Sequence, residues 1–392
     1  MPSNSDCPGH AGFDFDAPVD RRGTSSEKWD KYRGRDIIPL WVADMDFRSP
    51  PAVLEALHER VDHGVFGYTG VPPSLVAAVC TALAGGYGWE IHPEWLVWLP
   101  GLVTGLNVAC RAVGSDGDEV LTFTPVYPPF LSAPTLSRRV CTRVPLCGDA
   151  NRWFIDRDLL ERTITPRTRL LLLCNPHNPV GRVWTAEDLA YLATLAECHD
   201  LIICSDEIHA GLVLDTDKRH IPIAALSPDI ARRTITLQAP SKTYNVPGLG
   251  CSFAVISDQG LRRAFRSAMG RIVPHVNLFG YTAAEAAYRC GEPWRQTLLA
   301  YLRGNRDLVA GAIAAMPGLC AAHVEATYLT WIDTRAAGIE QPGRFFEAAG
   351  VGLSDGADFD GSGFVRLNFG CSRALLAEAL GRMRRALESR SA

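Results

Sequence analysis

The sequence lacks the features that mark several special classes of protein. It has no run of about 18 apolar residues, so a membrane-spanning helix is not expected. It has no excess of basic residues: 39 Lys and Arg stand against 43 Asp and Glu, and the net charge of −4 gives no reason to expect a nucleic acid or an anionic membrane as partner. The N-terminal segment has neither the basic nor the apolar stretch of a secretory signal, so a cytoplasmic location is expected.

Paired cysteine motifs are also missing. The 12 cysteines are scattered, and no two have CxxC spacing. Several lie in apolar runs, for example Cys174 and Cys204, which favours buried reduced thiols over zinc ligands or disulfides. No metal site is predicted. The 47% hydrophobic and 21% charged content is that of a globular protein, and 392 residues suggest more than one domain.

The clearest local pattern is a strand–helix–strand unit over residues 169–207. RLLLLCN and LIICSDE are short apolar runs typical of strands that are buried on both faces. Between them, Thr185 and Asp188 have the spacing of a capping box, and Leu189, Leu192 and Leu195 fall on one helical face. The order predicts parallel strands, and hence an α/β fold with a mainly parallel sheet between two layers of helices.

The last third of the chain has a different pattern. Helices are predicted near 283–316 and 373–389, and short strands at Thr327–Asp333 and Gly363–Phe369. These elements indicate a smaller C-terminal α/β domain beginning near residue 290. The predicted division is an N-terminal arm with part of the small domain (1–50), a large domain (51–289) and the small domain (290–392).

Three polar motifs directly follow predicted strands. They are NPHNPVG (Asn175–Gly181), SDEIH (Ser205–His209) and APSKTYN (Ala239–Asn245). Because ligands of open α/β sheets bind outside the carboxyl ends of the strands, an amide, a carboxylate and a lysine are expected to meet there.

Such a set satisfies the requirements of pyridoxal 5′-phosphate. This cofactor needs a lysine for its aldehyde, a carboxylate for its pyridine nitrogen and backbone N–H groups for its phosphate. Lys242 and Asp206 are the candidates for the first two positions, and Asn178 can donate to the ring 3′-oxygen. Each residue taken alone also has an ordinary structural explanation. Lys242 can be a surface lysine, Asp206 a helix-capping or turn carboxylate, and Asn178 a turn asparagine.

Other candidates extend the site. Tyr127 can stack on a flat ring or be a core tyrosine, and Tyr68 lies in a Gly-flanked turn from which its hydroxyl can reach a phosphate. The Gly-containing turn of Pro100–Cys110 can offer N–H groups. Arg366 lies within an apolar strand and therefore needs an anion, either a protein carboxylate or that of a substrate.

The motifs together resemble those of a known family. Segments such as IPLWVADMDFRSPP, FGYTG, LLLCNPHNPVGRVW, SDEIHAGLVL and APSKTYNVPGLG occur in order over residues 37 to 370. The sequence resembles the fold-type I pyridoxal phosphate enzymes of the aminotransferase class I/II superfamily. Within them it is similar to the MalY/PatB-type C–S β-lyases, which are cystathionine β-lyase-like.

The resemblance implies a role for each residue. Lys242 is the Schiff-base lysine and the acid/base at Cα, Asp206 pairs with the pyridinium nitrogen, and Tyr127 stacks on the ring. Tyr68 reaches the phosphate from the neighbouring subunit, which implies a homodimer. The remaining implied contacts are Asn178 with the 3′-oxygen; Gly101, Leu102, Val103, Thr104 and Ser241 with the phosphate; and Arg366, the backbone of Trp41, Val42 and Ala43, and Tyr68 with the substrate.

The implied reaction is the cleavage of cystathionine or an L-cysteine S-conjugate to a thiol, pyruvate and ammonia. Aspartate aminotransferase-like relatives usually have an arginine eight residues after the lysine, whereas this chain has Gly250, which favours the lyase branch. Gly211, Ser372 and Thr104 also depart from the usual residues of that branch. An aminotransferase is the alternative, and a decarboxylating reaction in a specialised pathway is a more distant one.

Overall fold

The computed structural model describes residues 12–148 and 152–391. Its strands are β1 (Ile38–Pro39), β2 (Leu96–Leu99), β3 (Glu119–Thr124), β4 (Val140–Pro145), β5 (Cys147–Gly148), β6 (Trp153–Phe154), β7 (Thr168–Cys174), β8 (Ile202–Asp206), β9 (Thr234–Gln238), β10 (Ser252–Val255), β11 (Cys320–Ala321), β12 (Leu329–Asp333), β13 (Val351–Gly352), β14 (Ser354–Asp355) and β15 (Phe364–Asn368). Its α-helices are α1 (Glu27–Asp30), α2 (Pro51–Asp62), α3 (Pro73–Tyr87), α4 (Leu102–Ala112), α5 (Pro129–Leu136), α6 (Arg157–Thr163), α7 (Ala186–Cys198), α8 (Pro228–Arg232), α9 (Gln259–Met269), α10 (Leu278–Cys290), α11 (Glu292–Ala314), α12 (Pro342–Ala348) and α13 (Arg373–Ser391).

A seven-stranded sheet forms the centre of the molecule, in the order β2-β10-β9-β8-β7-β3-β4. Its pairings are parallel except those of β10, which is antiparallel to both neighbours. Alternate residues of β7 face opposite ways: Leu170 packs with α4 and α5, whereas Leu171 packs with α6 and α7. Helices therefore cover both faces of the sheet, and the predicted three-layer α/β fold is confirmed.

The predicted strand–helix–strand unit forms as β7, α7 and β8. The side chain of Thr185 accepts from the Asp188 N–H, and the Asp188 carboxylate accepts from the Thr185 N–H, so the capping box is present. Leu189 and Leu192 are buried, as the helical spacing predicts. β7 and β8 are parallel, so their carboxyl ends lie at one edge of the sheet.

A second sheet, in the order β11-β12-β15-β14, belongs to the C-terminal part of the chain. It packs with α11 and α13 in a core that also includes Leu40 and Phe47 of the N-terminal segment. The helix predicted near 283–316 is two helices, because the chain breaks at Gly291, where α10 ends and α11 begins. The division into an N-terminal arm, a large domain and a small domain stays a prediction.

Among the described residues, ten cysteines are free thiols, as expected, but Cys290 is disulfide-bonded, which the sequence did not lead us to expect. Within residues 12–148 and 152–391, no helix has both the length and the apolar character of a membrane span. In the same residues, no group of three or more His, Cys, Asp or Glu side chains has an arrangement that fits a metal ion.

Candidate active site

The carboxyl ends of the parallel strands open into a cavity of about 630 Å³. The three polar motifs that follow β7, β8 and β9 all reach it, through Asn178, Asp206 and Lys242. Arg366, from β15 of the second sheet, lines the same cavity. The structure thus brings together the four side chains on which the sequence analysis depends.

Asp206 ends β8 and is only 3% exposed. Its Oδ1 atom accepts from the N–H of Ile208 at 3.1 Å, so it also has the turn role that the sequence left open. Burial raises the pKa of this carboxyl group to about 7. Because this carboxyl group is so poorly solvated, a cationic N–H group beside it would strongly stabilise its charged form.

Lys242 lies half-buried in the turn after β9, with its amine in the cavity. Burial lowers the pKa of the amine to about 8, the charge of Asp44 opposes this change, and that of Arg366 adds to it. An amine with such a pKa is partly neutral near physiological pH, and a neutral amine is the form that attacks an aldehyde or accepts a proton.

Arg366 is 4% exposed, and no carboxylate of the described residues forms an ion pair with it. Its Nη1 donates to Asn178 Oδ1 at 3.1 Å and its Nη2 to the carbonyl of Trp41 at 2.8 Å, whereas its Nε is buried without a partner. Burial lowers the pKa of the guanidinium to about 10. The sequence left two possible partners for Arg366, a protein carboxylate or the carboxylate of a substrate. The described residues contain no salt bridge to Arg366, so the carboxylate of a substrate is the partner that remains.

Asn178 has a fixed orientation because its Oδ1 accepts from Arg366. Its amide N–H₂ group is therefore free to donate into the cavity. Tyr127, in the turn after β3, is half-buried and lines the same space, and its N–H donates to the Asn178 carbonyl at 3.2 Å. This hydrogen bond fixes Tyr127 and Asn178 relative to each other, and both line the cavity together with Asp206.

A phosphate-sized anion has a suitable place at the start of α4. Gly101 is the N-cap of this helix, and Gly101, Leu102 and Val103 line the cavity together with Ser241. The N–H groups of a first helical turn have no partner within the helix and attract anions. Thr104 belongs to the same turn but does not line the cavity.

Trp41, Val42 and Ala43 form a wall of the cavity in an irregular segment after β1. Their carbonyls accept from side chains of distant elements rather than from a sheet or helix. Asn368 donates to Val42, and both Lys242 and Tyr328 donate to Ala43. Tyr328 and Asn368 were missed by the sequence analysis, since nothing in their local pattern marks a contact with this segment.

Two other placements differ from the expected set. Tyr68 is fully exposed and does not line the cavity of its own chain. His209 was not among the expected site residues, yet it is buried, lines the cavity and has an Nδ1 atom without a partner. It follows Asp206 by three residues, so its position directly after a strand was the signal that pointed to it.

The cavity fits pyridoxal phosphate on the chemistry of its groups. An amine, a buried carboxyl group, an amide donor and a helix N-terminus face one space, and a buried guanidinium Nε awaits a partner. Together with the α/β fold, these groups define a pyridoxal phosphate-dependent enzyme of fold type I.

Comparison with known proteins agrees with this class. The chain belongs to the aminotransferase class I and II family, whose model matches residues 35–383. It is 40% identical to cystathionine beta-lyase PatB of Bacillus subtilis, covering 96% of this chain and 100% of PatB. The crystal structure of OvoB has a TM-score of 0.94 at 47% identity, covering 96% of this chain and 100% of OvoB. Cystalysin of Treponema denticola, whose structure contains pyridoxal 5′-phosphate, has a TM-score of 0.93 at 30% identity, covering 97% and 100%.

Proposed function

We propose that this chain is a pyridoxal phosphate-dependent carbon–sulfur β-lyase that cleaves cystathionine or another L-cysteine S-conjugate. One observation carries the proposal: Lys242, Asp206 and Arg366 line one cavity, and within the described residues Arg366 has no carboxylate partner. The sequence identity of this chain with a relative named as a cystathionine β-lyase supports the choice of reaction.

The substrate is bound by its carboxylate. Arg366 offers a planar fork of N–H groups held by Asn178 and the Trp41 carbonyl, which suits a carboxylate. This contact orients the amino acid so that its Cα hydrogen faces Lys242.

When bound, pyridoxal phosphate supplies an aldehyde for the substrate amine and a ring that accepts the electron pair released at Cα. Lys242 Nζ removes the Cα proton, and its lowered pKa keeps enough of the amine neutral for this. The Asp206 carboxylate would hold a proton on the ring nitrogen, Asn178 would donate to the ring 3′-oxygen, and Tyr127 would cover a face of the ring. The start of α4 and Ser241 hold the phosphate.

The Cβ–S bond then breaks, and sulfur leaves with the bonding electrons as a thiolate that takes up a proton. Addition of one water to the remaining three-carbon unit yields pyruvate and ammonia. The sum is S-conjugate plus water giving thiol, pyruvate and ammonia, with no oxidant or reductant.

The Lys242→Ala variant tests this function. In the wild type, borohydride is expected to attach the cofactor to the peptide that contains Lys242, and cystathionine is expected to yield pyruvate without any added keto acid. Lys242→Ala is expected to lose both properties, while Lys218→Ala, a half-buried lysine outside the cavity, retains them. Pyruvate that forms only with a keto-acid acceptor identifies an aminotransferase, and activity retained in Lys242→Ala rejects the role of this lysine.

We further propose that the active form is a homodimer. The segment between α2 and α3 exposes Val65, Phe66 and Tyr68, which is unusual for a free surface. A second copy of the chain that covers this segment would bury it, and would bring Tyr68 to the phosphate of its neighbour.

We also propose a cytoplasmic location. Ten cysteines of the described residues are free thiols and one, Cys290, is disulfide-bonded, and this large excess of free thiols supports a reducing compartment. Cell fractionation with an antibody against the chain tests it.

A further inference from the structure

The outer part of the cavity is lined by charged side chains whose role the proposed reaction does not explain. Glu27 and Lys31 belong to α1 and its C-cap, whereas Arg344 and Asp358 belong to the C-terminal part of the chain. A substrate held by Arg366 at its α-carboxylate would direct its sulfur substituent toward such a mouth.

Glu27 and Lys31 have the spacing of a helical ion pair but do not form one. A glutamate four residues before a lysine is the favoured arrangement for such a pair. Here the Lys31 amine instead lies 4.3 Å from the ring centroid of Trp41 and 5.1 Å from that of Tyr32. Within the described residues, neither Glu27 nor Lys31 has an ion-pair partner, so both charges remain available to a ligand.

Both charges line the same cavity as Lys242 and Arg366. The ring beneath Lys31 is that of Trp41, whose carbonyl accepts from Arg366 at 2.8 Å. Burial raises the pKa of the Tyr127 hydroxyl, and the negative charge of Glu27 is one of the charges that add to this rise. Glu27 therefore acts electrostatically on the residue expected to cover the cofactor ring.

We propose that Glu27 and Lys31 are specificity-determining residues that select a sulfur substituent carrying both an ammonium and a carboxylate group. Glu27 receives the ammonium group and Lys31 the carboxylate. This inference rests on the carbon–sulfur lyase activity proposed above. The class comprises thioethers of cysteine with a second amino acid, of which cystathionine is one member.

Four substrates that share the cysteine half separate the two contacts. S-butyl-L-cysteine has no charge on its substituent, S-(3-aminopropyl)-L-cysteine adds only an ammonium group, S-(3-carboxypropyl)-L-cysteine adds only a carboxylate, and cystathionine has both. Release of pyruvate by the holoenzyme gives kcat/KM for each. We expect cystathionine to be the best of the four substrates.

The variants Glu27→Gln and Lys31→Gln then show a crossed pattern. Glu27→Gln is expected to lower kcat/KM about two- to fivefold for the two substrates with an ammonium group, and Lys31→Gln likewise for the two with a carboxylate, the range of a partly exposed ion pair. S-butyl-L-cysteine is expected to be unaffected by either variant. Asp358→Asn and Arg344→Gln are the matched controls, because these two charged residues line the same cavity but belong to the C-terminal part of the chain, and no crossed pattern is expected for them.

The outcomes separate this inference from the function on which it rests. If none of the four substrates yields pyruvate, the proposed lyase function is wrong. If all four are cleaved and the variants change them equally, or if Asp358→Asn and Arg344→Gln produce the crossed pattern instead, the lyase stands and the assignment of Glu27 and Lys31 is overturned.

Discussion

The Lys242 amine and the Tyr328 hydroxyl donate to the same acceptor, the carbonyl oxygen of Ala43. Tyr328 is buried and lies just before β12, so the C-terminal sheet contributes to holding a lysine of the central sheet. The Ala43 carbonyl itself is fixed because Asn368 donates to the carbonyls on both sides of it, those of Val42 and Asp44, at 2.7 Å each. The position of the free amine is therefore determined by three separate parts of the chain.

Replacing Tyr328 is expected to change the proton affinity of Lys242. In Tyr328→Phe the Ala43 carbonyl has no competing donor, so it stabilises the ammonium form of Lys242 better. The pKa of the amine, lowered by burial to about 8, is expected to rise by about half to one pKa unit, the size of one neutral hydrogen bond. Acetylation of Lys242 in cofactor-free protein, followed by mass spectrometry across pH, measures it.

Tyr281→Phe is the control for that titration, because Tyr281 is buried against Trp98, outside the cavity. The other charged or titratable groups around the amine, Asp44, Asp206, Arg366 and His209, are unchanged in both variants. A pKa that stays the same or falls in Tyr328→Phe shows that the shared carbonyl does not control the amine.

Asp206 is expected to destabilise the cofactor-free protein at neutral and alkaline pH. Burial raises the pKa of its carboxyl group from 3.8 to about 7, so the folded state holds a proton that the unfolded state has released. Below about pH 3.8 the proton held by Asp206 makes its full contribution to the free energy of unfolding, and this contribution is lost as pH rises through about 7. Asp206→Asn cannot ionise, and it is expected to raise the free energy of unfolding at pH 8 by up to about 4 kcal/mol.

Thermal unfolding of the cofactor-free protein at pH 8 and pH 4 measures this difference. The increase in Tm of Asp206→Asn is expected at pH 8 and is expected to vanish at pH 4, while the exposed control Asp217→Asn changes little at either pH. The same substitution also removes from the holoenzyme the carboxylate that is proposed to hold a proton on the ring nitrogen, so its turnover is expected to fall. Equal Tm values of Asp206→Asn and the wild type at pH 8 argue against a buried, poorly solvated carboxyl group.

Arg366→Lys tests recognition of the substrate carboxylate. Lysine keeps the positive charge but lacks the planar fork that Asn178 and the Trp41 carbonyl hold in place. We expect kcat/KM to fall about 10- to 100-fold, the range of one or two charge-assisted hydrogen bonds. Steady-state kinetics with cystathionine measure it, and Arg335→Lys, outside the cavity, serves as control. Wild-type kinetics in Arg366→Lys show that the arginine does not bind substrate.

The exposed segment between α2 and α3 tests the homodimer. Phe66 is 58% exposed, and its ring centroid lies 5.6 Å from that of Phe279. Because the side chain is so little buried, Phe66→Glu is expected to leave the fold intact but to produce monomers in sedimentation experiments. Tyr68→Phe is expected to remain dimeric and to release pyridoxal phosphate more readily, because the proposed contact of the Tyr68 hydroxyl with the phosphate would be lost. A wild-type chain that sediments as a monomer, or cofactor affinity unchanged in Tyr68→Phe, contradicts the arrangement.

The sequence by itself determined the strands and the helix of the β7–α7–β8 unit, because apolar periodicity and the Thr185–Asp188 capping box are local signals. It also pointed to Asn178, Asp206 and Lys242, since polar residues directly after buried parallel strands must meet at one edge of the sheet. His209 also follows the strand β8 closely, although it was not among the predicted site residues.

Only the tertiary structure decided that Arg366 has no carboxylate partner among the described residues, that Tyr328 shares an acceptor with Lys242, and that Glu27 faces the cavity. The contacts of Tyr328 and Arg366 with the segment after β1 join residues more than 280 positions apart. No periodicity or capping signal encodes such contacts, because they depend on how the N-terminal segment and the second sheet pack beside the first.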